Sequence, residues 1–314
     1  MSDGRKVLLL HGGLLAGLFA LHFVLPAYHH GNLARIMVLA SYAVGYNVLF
    51  GYTGLLSLGH ALFFAAGMYG MALPLHHLGL PAGWALLTGL GAGAGLAALL
   101  ALLALRTTGV AFLIVTLMFA QAGHLTILYF GEVTRGDEGF VIDAAQRVLW
   151  GIDLSAPDAR YLAALALFAA SLLACLALVR APFGKTLIAV RENEERVRML
   201  GYDTHLHKWG AMVISGALSA AAGAAYGLLF GYAGATFGSV QYSILPLLWV
   251  LLGGAGTVIG PFIGTLFMFY LIDLSSDLTT AYMLVAGVAL IALTLFAPQG
   301  LAGEVRRRLW RWLP

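Results

Sequence analysis

The sequence predicts an all-α, polytopic membrane protein of about eight to ten crossings, some of them broken by glycine or re-entrant. Three observations predict it. The 314 residues are 61% hydrophobic and only 10% charged, against roughly 25% charged in a soluble domain. Mean hydropathy is +0.90. Apolar runs of about 20 residues, the length that crosses a bilayer as a helix, recur along the chain. Nothing of soluble-domain composition is left over, so residues 1–314 read as a single membrane domain. The 40 glycines suit that class, because small residues let helices approach closely in lipid. A net charge of +3 is not a nucleic-acid signature, since the basic residues gather in short loops and tails. The one cysteine, Cys175, lies in an apolar span and offers neither a disulfide framework nor a thiolate metal site.

Arg5 and Lys6 precede the first apolar run, from about Val7 to Tyr28. It is too long for a signal peptide and lacks a small-residue cleavage pattern, so a retained span is expected. His11 and His22 interrupt it and read as satisfied by neighbours rather than as metal ligands. His29, His30 and Asn32 read as a polar turn before a second span, Leu33 to Phe50. GYTGLLSLG follows, from Gly51 to Gly59, and a third span runs from His60 to about Leu78. Span four (Trp84 to Leu105) carries Gly89, Gly91, Gly93 and Gly95, a close-packing pattern. Span five covers Val110 to Phe130, and a polar loop fills 131–160. Span six covers Tyr161 to Val179, and a charged connection fills 181–208. Span seven runs from Trp209 to Phe230 and is followed by GYAGATFG. Span eight starts near Ile244 and breaks at GGAGTVIGP, and span nine runs to about Ile272. Asp273 and Asp277 are expected in a connection, before span ten (Ala281 to Phe296) and a basic tail, 298–314, with Arg306, Arg307, Arg308 and Arg311.

Lysine and arginine collect in the N-terminus, at Arg106, in 181–208 and in the tail, which makes those segments and both termini cytoplasmic. Loop 131–160 then faces outward, and Arg35 is the one minor violation. GYTGLLSLG and GYAGATFG align at Gly51 with Gly231, Tyr52 with Tyr232 and Gly54 with Gly234. Equivalent breaks on opposite sides are what an inverted repeat of spans one to five and six to ten would give. Chance similarity over so few residues is the alternative.

PFGKTLIAVRENEERVRMLGYDTHLHK, Pro182 to Lys208, is the only long run dense in charge, so it must sit in water and face something there. Glu195 and Gly201 have the spacing of the E-A-A-x-x-x-G loop of ABC importer permeases. In that loop a short helix docks in a groove of a nucleotide-binding subunit and a glycine ends it. Arg196 and Val197 stand where two alanines are usual, and an ordinary solvated loop is the competing reading. The whole stretch resembles the central loop of the branched-chain amino acid ABC importer permeases of the second, LivM-like type. The matching residues are Pro182, Phe183, Gly184, Lys185, Arg191, Glu192, Asn193, Glu194, Arg196, Leu200, Gly201, Tyr202 and Lys208. Four further blocks agree, in order: Gly51 to Gly70, Thr107 to Gln121 (with Ala111 for an aromatic), Val250 to Gly264, and Leu295 to Leu301.

The resemblance implies a permease subunit that does not hydrolyse ATP itself. ATP and Mg²⁺ would be bound by partner ATP-binding subunits. A second, homologous permease and a periplasmic or lipid-anchored solute-binding protein would complete a heteromeric complex in the bacterial inner membrane. The implied solute is a branched-chain amino acid, with urea, amides or aromatic acids as alternatives within the family. Arg191, Glu192, Glu194, Glu195, Arg196, Gly201 and Tyr202 are then expected to couple to the ATPase. Gly51, Tyr52, Gly54, Ser57, Gly59, Gly253, Gly254, Gly256 and Gly260 are expected to line or hinge the pathway. TRGDEG, Thr134 to Gly139, departs from the family's T-G-G-x-x-G, with Arg135 where a glycine supplies φ > 0 or close approach.

Other classes fit less well. The ten histidines contain no HExxH and no His/Cys cluster at metal spacing, and there is no phosphate loop. No catalytic constellation supports a membrane enzyme. An ion-coupled secondary transporter would need buried acidic or histidine residues in its spans, whereas the acidic residues here gather in loops or at span ends. Gln121, His124 and Thr126, polar within span five, read as pathway groups or as helix-to-helix bonds.

Overall fold

A computed structural model describes residues 3–309, apart from the side chains of Asp3, Tyr282, Met283, Leu293 and Thr294. The predicted Arg311 lies outside it. The fold is an all-helical bundle. Its helices are α1 (Asp3–Leu21), α2 (Ala27–Asn47), α3 (His60–His77), α4 (Ala82–Ala104), α5 (Gly109–Tyr129), α6 (Gly131–Thr134) and α7 (Pro157–Arg180). They continue with α8 (Pro182–Met199), α9 (Thr204–Phe230), α10 (Val240–Gly253), α11 (Gly260–Leu278), α12 (Tyr282–Phe296) and α13 (Gly300–Arg308). Among the described residues, seven helical segments are long and apolar enough to cross a membrane: α1, α2 with the π turn that extends it to Tyr52, α4, α5, α7, α9 and α11.

Several boundaries differ from the sequence expectation, each for a local reason. Pro26 caps α2, so the chain breaks at 22–26 and His29, His30 and Asn32 fall in the first turns of α2 rather than in a turn. Pro157 starts α7 inside the expected 131–160 loop. The Asp203 carboxylate accepts from Leu206 N (3.0 Å) and caps α9, which takes Thr204 to Lys208 out of the expected 181–208 connection. Asp273 and Asp277 lie in the last turns of α11, with Asp273 accepting from Tyr28 Oη (2.7 Å) and Asn32 Nδ2 (3.3 Å). Two two-stranded ribbons, β1 (Phe140–Val141) with β4 (Tyr232–Ala233) and β2 (Val148–Leu149) with β3 (Ile152–Asp153), punctuate the loops.

Small residues make the core. A Cβ on Gly67 would stand 2.1 Å from Ala220 O, and one on Gly223 2.0 Å from Phe64 O, so α3 and α9 touch backbone to backbone. Gly89 and Gly93 bring α4 onto the same seam, while Gly91 and Gly95 have nothing within 4 Å. α2 is the central rod, buried along most of its length against α7, α9, α10 and α11.

The order of elements repeats. α2 and α9 are each long, each is followed by a break in the α-helical chain (53–59, and 231–239 with a 3₁₀ turn at Ala235–Gly238), and each break leads into a shorter helix, α3 or α10. The starts of those two short helices meet inside the bundle, where Ala61 N donates to Ser243 Oγ at 3.0 Å.

Hydrogen bonds sort the connections into two ends. Arg180 reaches Gly4 O, Arg191 reaches Gly51 O, Arg306 reaches Gly256 O, and Leu187 shares an apolar cluster with Ala104 and Leu105. These contacts put both terminal helices, α8, the α4–α5 connection and both glycine junctions at one end, here called the basic end. At the far end, Arg147 donates to Leu229 O, His77 pairs with Val133 O, and Tyr28 with Asp273. Arg35, the violation in the charge pattern, lies there, with its guanidinium 5.3 Å from the Phe230 ring. Arg160 and Arg147 join it around the C-terminus of α9, where cations meet the negative end of a helix dipole.

Candidate functional site

The basic end carries a junction built from two glycine breaks. α2 loosens into a π turn, Val48–Tyr52, where Thr53 Oγ1 donates back to Val48 O (2.9 Å). Gly54 then turns the chain with φ +79°. α10 ends at Gly253, and Gly254 (φ +117°) and Gly256 (φ +75°) lead to α11 at Gly260. Neither turn tolerates a β-carbon: one on Gly51 would lie 1.9 Å from Asn47 Oδ1 and 2.5 Å from Gly256 N. One on Gly253 would lie 1.9 Å from Gly260 O.

Asn47 ties the two breaks together. It accepts from Gly256 N (3.0 Å) through Oδ1 and donates to Thr257 O (2.9 Å) through Nδ2. Two arginines finish the latch from outside, Arg191 of α8 on Gly51 O and Arg306 of α13 on Gly256 O (3.2 Å). An open cavity of about 760 Å³ lies against it, lined by Phe50, Arg191, Glu192, Thr257 and Arg306 among others.

The structure therefore gathers Gly51, Gly54, Gly253, Gly254, Gly256 and Gly260 in one place. Tyr52 is buried beside them, its hydroxyl next to Cys175. Ser57 and Gly59 lie deeper. Ser57 is fully buried, with its hydroxyl accepting from Gly59 N (3.1 Å) and its carbonyl accepting from Tyr46 Oη (3.0 Å). A β-carbon on Gly59 would meet Thr116 O at 2.6 Å. His60 follows, also fully buried. Its Nε2 lies 2.7 Å from Ser215 Oγ, and Ser215 donates to Gly45 O (2.6 Å), so the serine accepts from the imidazole.

Asn47, Thr257 and Arg306 were not singled out in the sequence as members of this site. Asn47 carried a readable signal, as the one amide in span two, Leu33 to Phe50. Thr257 and Arg306 carried none beyond their neighbours.

The charged segment is two helical pieces rather than one. Asn193 breaks α8 with φ −161° and ψ 98°, and its Oδ1 accepts from Arg196 N (2.9 Å), capping the second piece. That piece ends in a Schellman motif: Gly201 N donates to Arg198 O (3.0 Å), Tyr202 N to Val197 O (3.4 Å), and Gly201 takes φ +89°. Glu194 turns inward. It accepts from Lys208 Nζ, Arg198 Nη2 (3.1 Å) and Thr204 Oγ1 (3.1 Å). Partial burial pushes its carboxyl up, but Lys208 and these other partners outweigh it and hold the pKa below the ordinary carboxylate value. Glu192, Glu195, Arg191 and Arg196 stay exposed. So do Met199, Leu200 and Tyr202, which form an apolar tip on a charged stalk.

At the far end, the TRGDEG turn puts Arg135 in the left-handed region, φ 60° and ψ 13°. The departure from glycine is thus held in the conformation a glycine would favour. Thr134 Oγ1 accepts from Gly136 N (3.2 Å), and the Arg135 guanidinium lies 5.8 Å from the Phe140 ring. Asp137 and Glu138 are exposed.

A family model described as branched-chain amino acid transport system / permease component matches residues 30–294. The chain is 30% identical over 297 residues to the high-affinity branched-chain amino acid transport system permease protein LivM of Escherichia coli K12, covering 87% of this chain and 69% of that protein. LivM of Salmonella typhimurium LT2 is also 30% identical, over 298 residues, with the same shares covered. A probable LivM permease of Methanocaldococcus jannaschii is 38% identical over 90 residues, 28% of this chain and 26% of that one. No solved structure matches.

Proposed function

The chain belongs to the branched-chain amino acid transport permease family, the membrane-spanning subunits of ATP-binding cassette importers, and from that premise we propose how this subunit works. The solute is leucine, isoleucine or valine. The basic end faces the cytoplasm and holds both termini, following the side on which lysine and arginine collect. ATP and Mg²⁺ bind to the partner ATPase subunits, and this chain carries no catalysis of its own. A second, homologous permease completes the pore, and a solute-binding protein docks on the far end.

One observation carries the reading. The segment with coupling-loop spacing presents an exposed apolar tip, Met199, Leu200 and Tyr202, and its stalk holds the glycine junction directly through Arg191 and Gly51. A force on the tip reaches the Gly51 backbone through Arg191, and the Asn47 bridge passes it to the second break. Closure of the ATPase dimer moves α8, the Arg191, Asn47 and Arg306 latch rearranges, and the glycine turns supply the hinge. The second permease gives the moving spans a wall to open against.

The test is uptake by proteoliposomes holding the permeases, the ATPase subunits and the binding protein. Radiolabelled leucine, isoleucine and valine should accumulate only with internal or external ATP available to the ATPase face. Preferential uptake of urea, a short amide or an aromatic acid would move the solute within the family. Uptake driven by a Na⁺ or H⁺ gradient without ATP would refute the coupling.

A further inference from the structure

A cluster at the far end, away from the glycine junction, takes up His22, which the sequence reads as satisfied by its neighbours. His22 sits in the break after α1, His30 in the first turn of α2, and Asp158 in the first turn of α7. One ligand atom from each lies within 4.8 Å of the others, and His22 Nδ1 is 3.0 Å from His30 Nε2. We propose that His22, His30 and Asp158 form a binding site for a divalent cation of the zinc class, joining the ends of α1, α2 and α7 on the far face.

The geometry is built rather than incidental. Tyr161, one turn beyond Asp158 on the same face of α7, stacks on the His30 ring at 4.4 Å and 20°. It also flanks His22 at 5.3 Å, and its hydroxyl is anchored to Leu18 O of α1 at 2.7 Å. Both imidazoles are therefore oriented by a residue that is itself fixed. His30 is buried, His22 half-buried and Asp158 exposed, so the site is closed on the protein side and open to water on the other. The neighbouring cation has partners of its own: Arg160 donates to Ser155 O (2.7 Å) and lies over Phe230. Among the described residues Asp158 has no ion pair.

Two imidazoles and a carboxylate are the donor set of a borderline cation such as Zn²⁺ or Ni²⁺, with a fourth position left for water or solute. Tetrahedral ligands at about 2.0–2.1 Å from Zn²⁺ stand about 3.3 Å apart. The imidazole nitrogens are already close to that, and a rotation of the exposed Asp158 brings in the third. The sequence concealed this group because its members are separated by a helix break and by 128 positions (30 to 158) rather than by a motif spacing.

The test uses the permease in its complex with the ATPase subunits, purified on a tag without histidine and dialysed against micromolar ZnCl₂. Metal analysis should find one Zn²⁺ per copy of this chain. The His22→Ala/His30→Ala variant should lose it, Asp158→Asn should weaken it at least tenfold, and His76→Ala/His77→Ala should leave it unchanged. Co²⁺ in place of Zn²⁺ should give visible ligand-field bands that Asp158→Asn shifts. Asp158 is exposed, so that variant keeps the test decisive if removal of buried His30 harms folding. Equal Zn²⁺ in wild type and Asp158→Asn, or no Zn²⁺ in wild type, would reduce the cluster to a hydrogen-bonded histidine pair.

Discussion

Asn47 is the smallest unit on which the site depends. One amide satisfies a backbone donor and a backbone acceptor of the opposite break, both buried. Asn47→Leu keeps the volume and removes both bonds, leaving Gly256 N–H and Thr257 C=O unpaired at about 1–3 kcal/mol each. The variant should insert and assemble, unfold at a lower temperature, and lose uptake; wild-type uptake would remove the latch from the mechanism. Arg135 offers a second test at this scale. A left-handed residue with a β-carbon costs about 1–2 kcal/mol, partly offset here by about 0.5–1 kcal/mol from the cation over Phe140. Arg135→Gly should therefore leave stability unchanged within about 1 kcal/mol. Arg135→Val, β-branched and without the cation, should destabilise by more than that. Thermal unfolding of the purified complex ranks the three, and Val above Gly would contradict the reading of this turn.

Among the elements, α8 shows what the sequence made legible and what it hid. Charge density placed it in water, and the Glu195-to-Gly201 spacing located its stop, which the positive φ of Gly201 matches. The break at Asn193 was hidden, because asparagine reads equally as a helix interior residue or as a cap. Glu194 was expected to face the ATPase with its neighbours, yet its carboxylate is taken up by Lys208 of α9. Sequence spacing alone could not say which residue fourteen positions on would fold back onto it. Because the pKa of Glu194 is lowered on folding, its contribution is complete above the ordinary carboxylate value of 4.5. It is lost as pH falls through the lower folded value. Proteolysis of the 194–208 segment should accordingly accelerate only below about pH 4.5 in the wild type, and already at neutral pH in Glu194→Ala. A flat wild-type profile would mean that the ion pair does not hold the stalk. The two glycine breaks were legible as breaks. Their meeting at Asn47 was not, because it joins positions 47 and 256 across most of the chain.

In the whole molecule, the broad architecture was legible from hydropathy, since each expected span has a helix at or near its place. Ends were harder to read, because helix-start signals such as Pro26, Pro157 and Asp203 act against the hydropathy profile rather than with it. The two-ended sorting of connections sets up a topology test. A cysteine at Glu138 should react with an impermeant thiol reagent in intact cells, and one at Glu195 only after lysis; Cys175 is buried and should stay silent. The reverse pattern would invert the chain in the membrane. On the proposed function, the ATPase takes hold at the α8 tip. Gly201 has open space around it, so Gly201→Val strains the left-handed stop by about 1 kcal/mol or more without a clash. Leu200→Asp places a charge on the apolar tip and leaves the stop intact. The most direct measurement is the amount of ATPase subunit retained on tagged permease, with solute-stimulated ATP hydrolysis read on the same samples. Both variants should insert normally, retain far less ATPase and lose the stimulation. Wild-type retention and stimulation in both would contradict the account and leave α8 as a solvated loop.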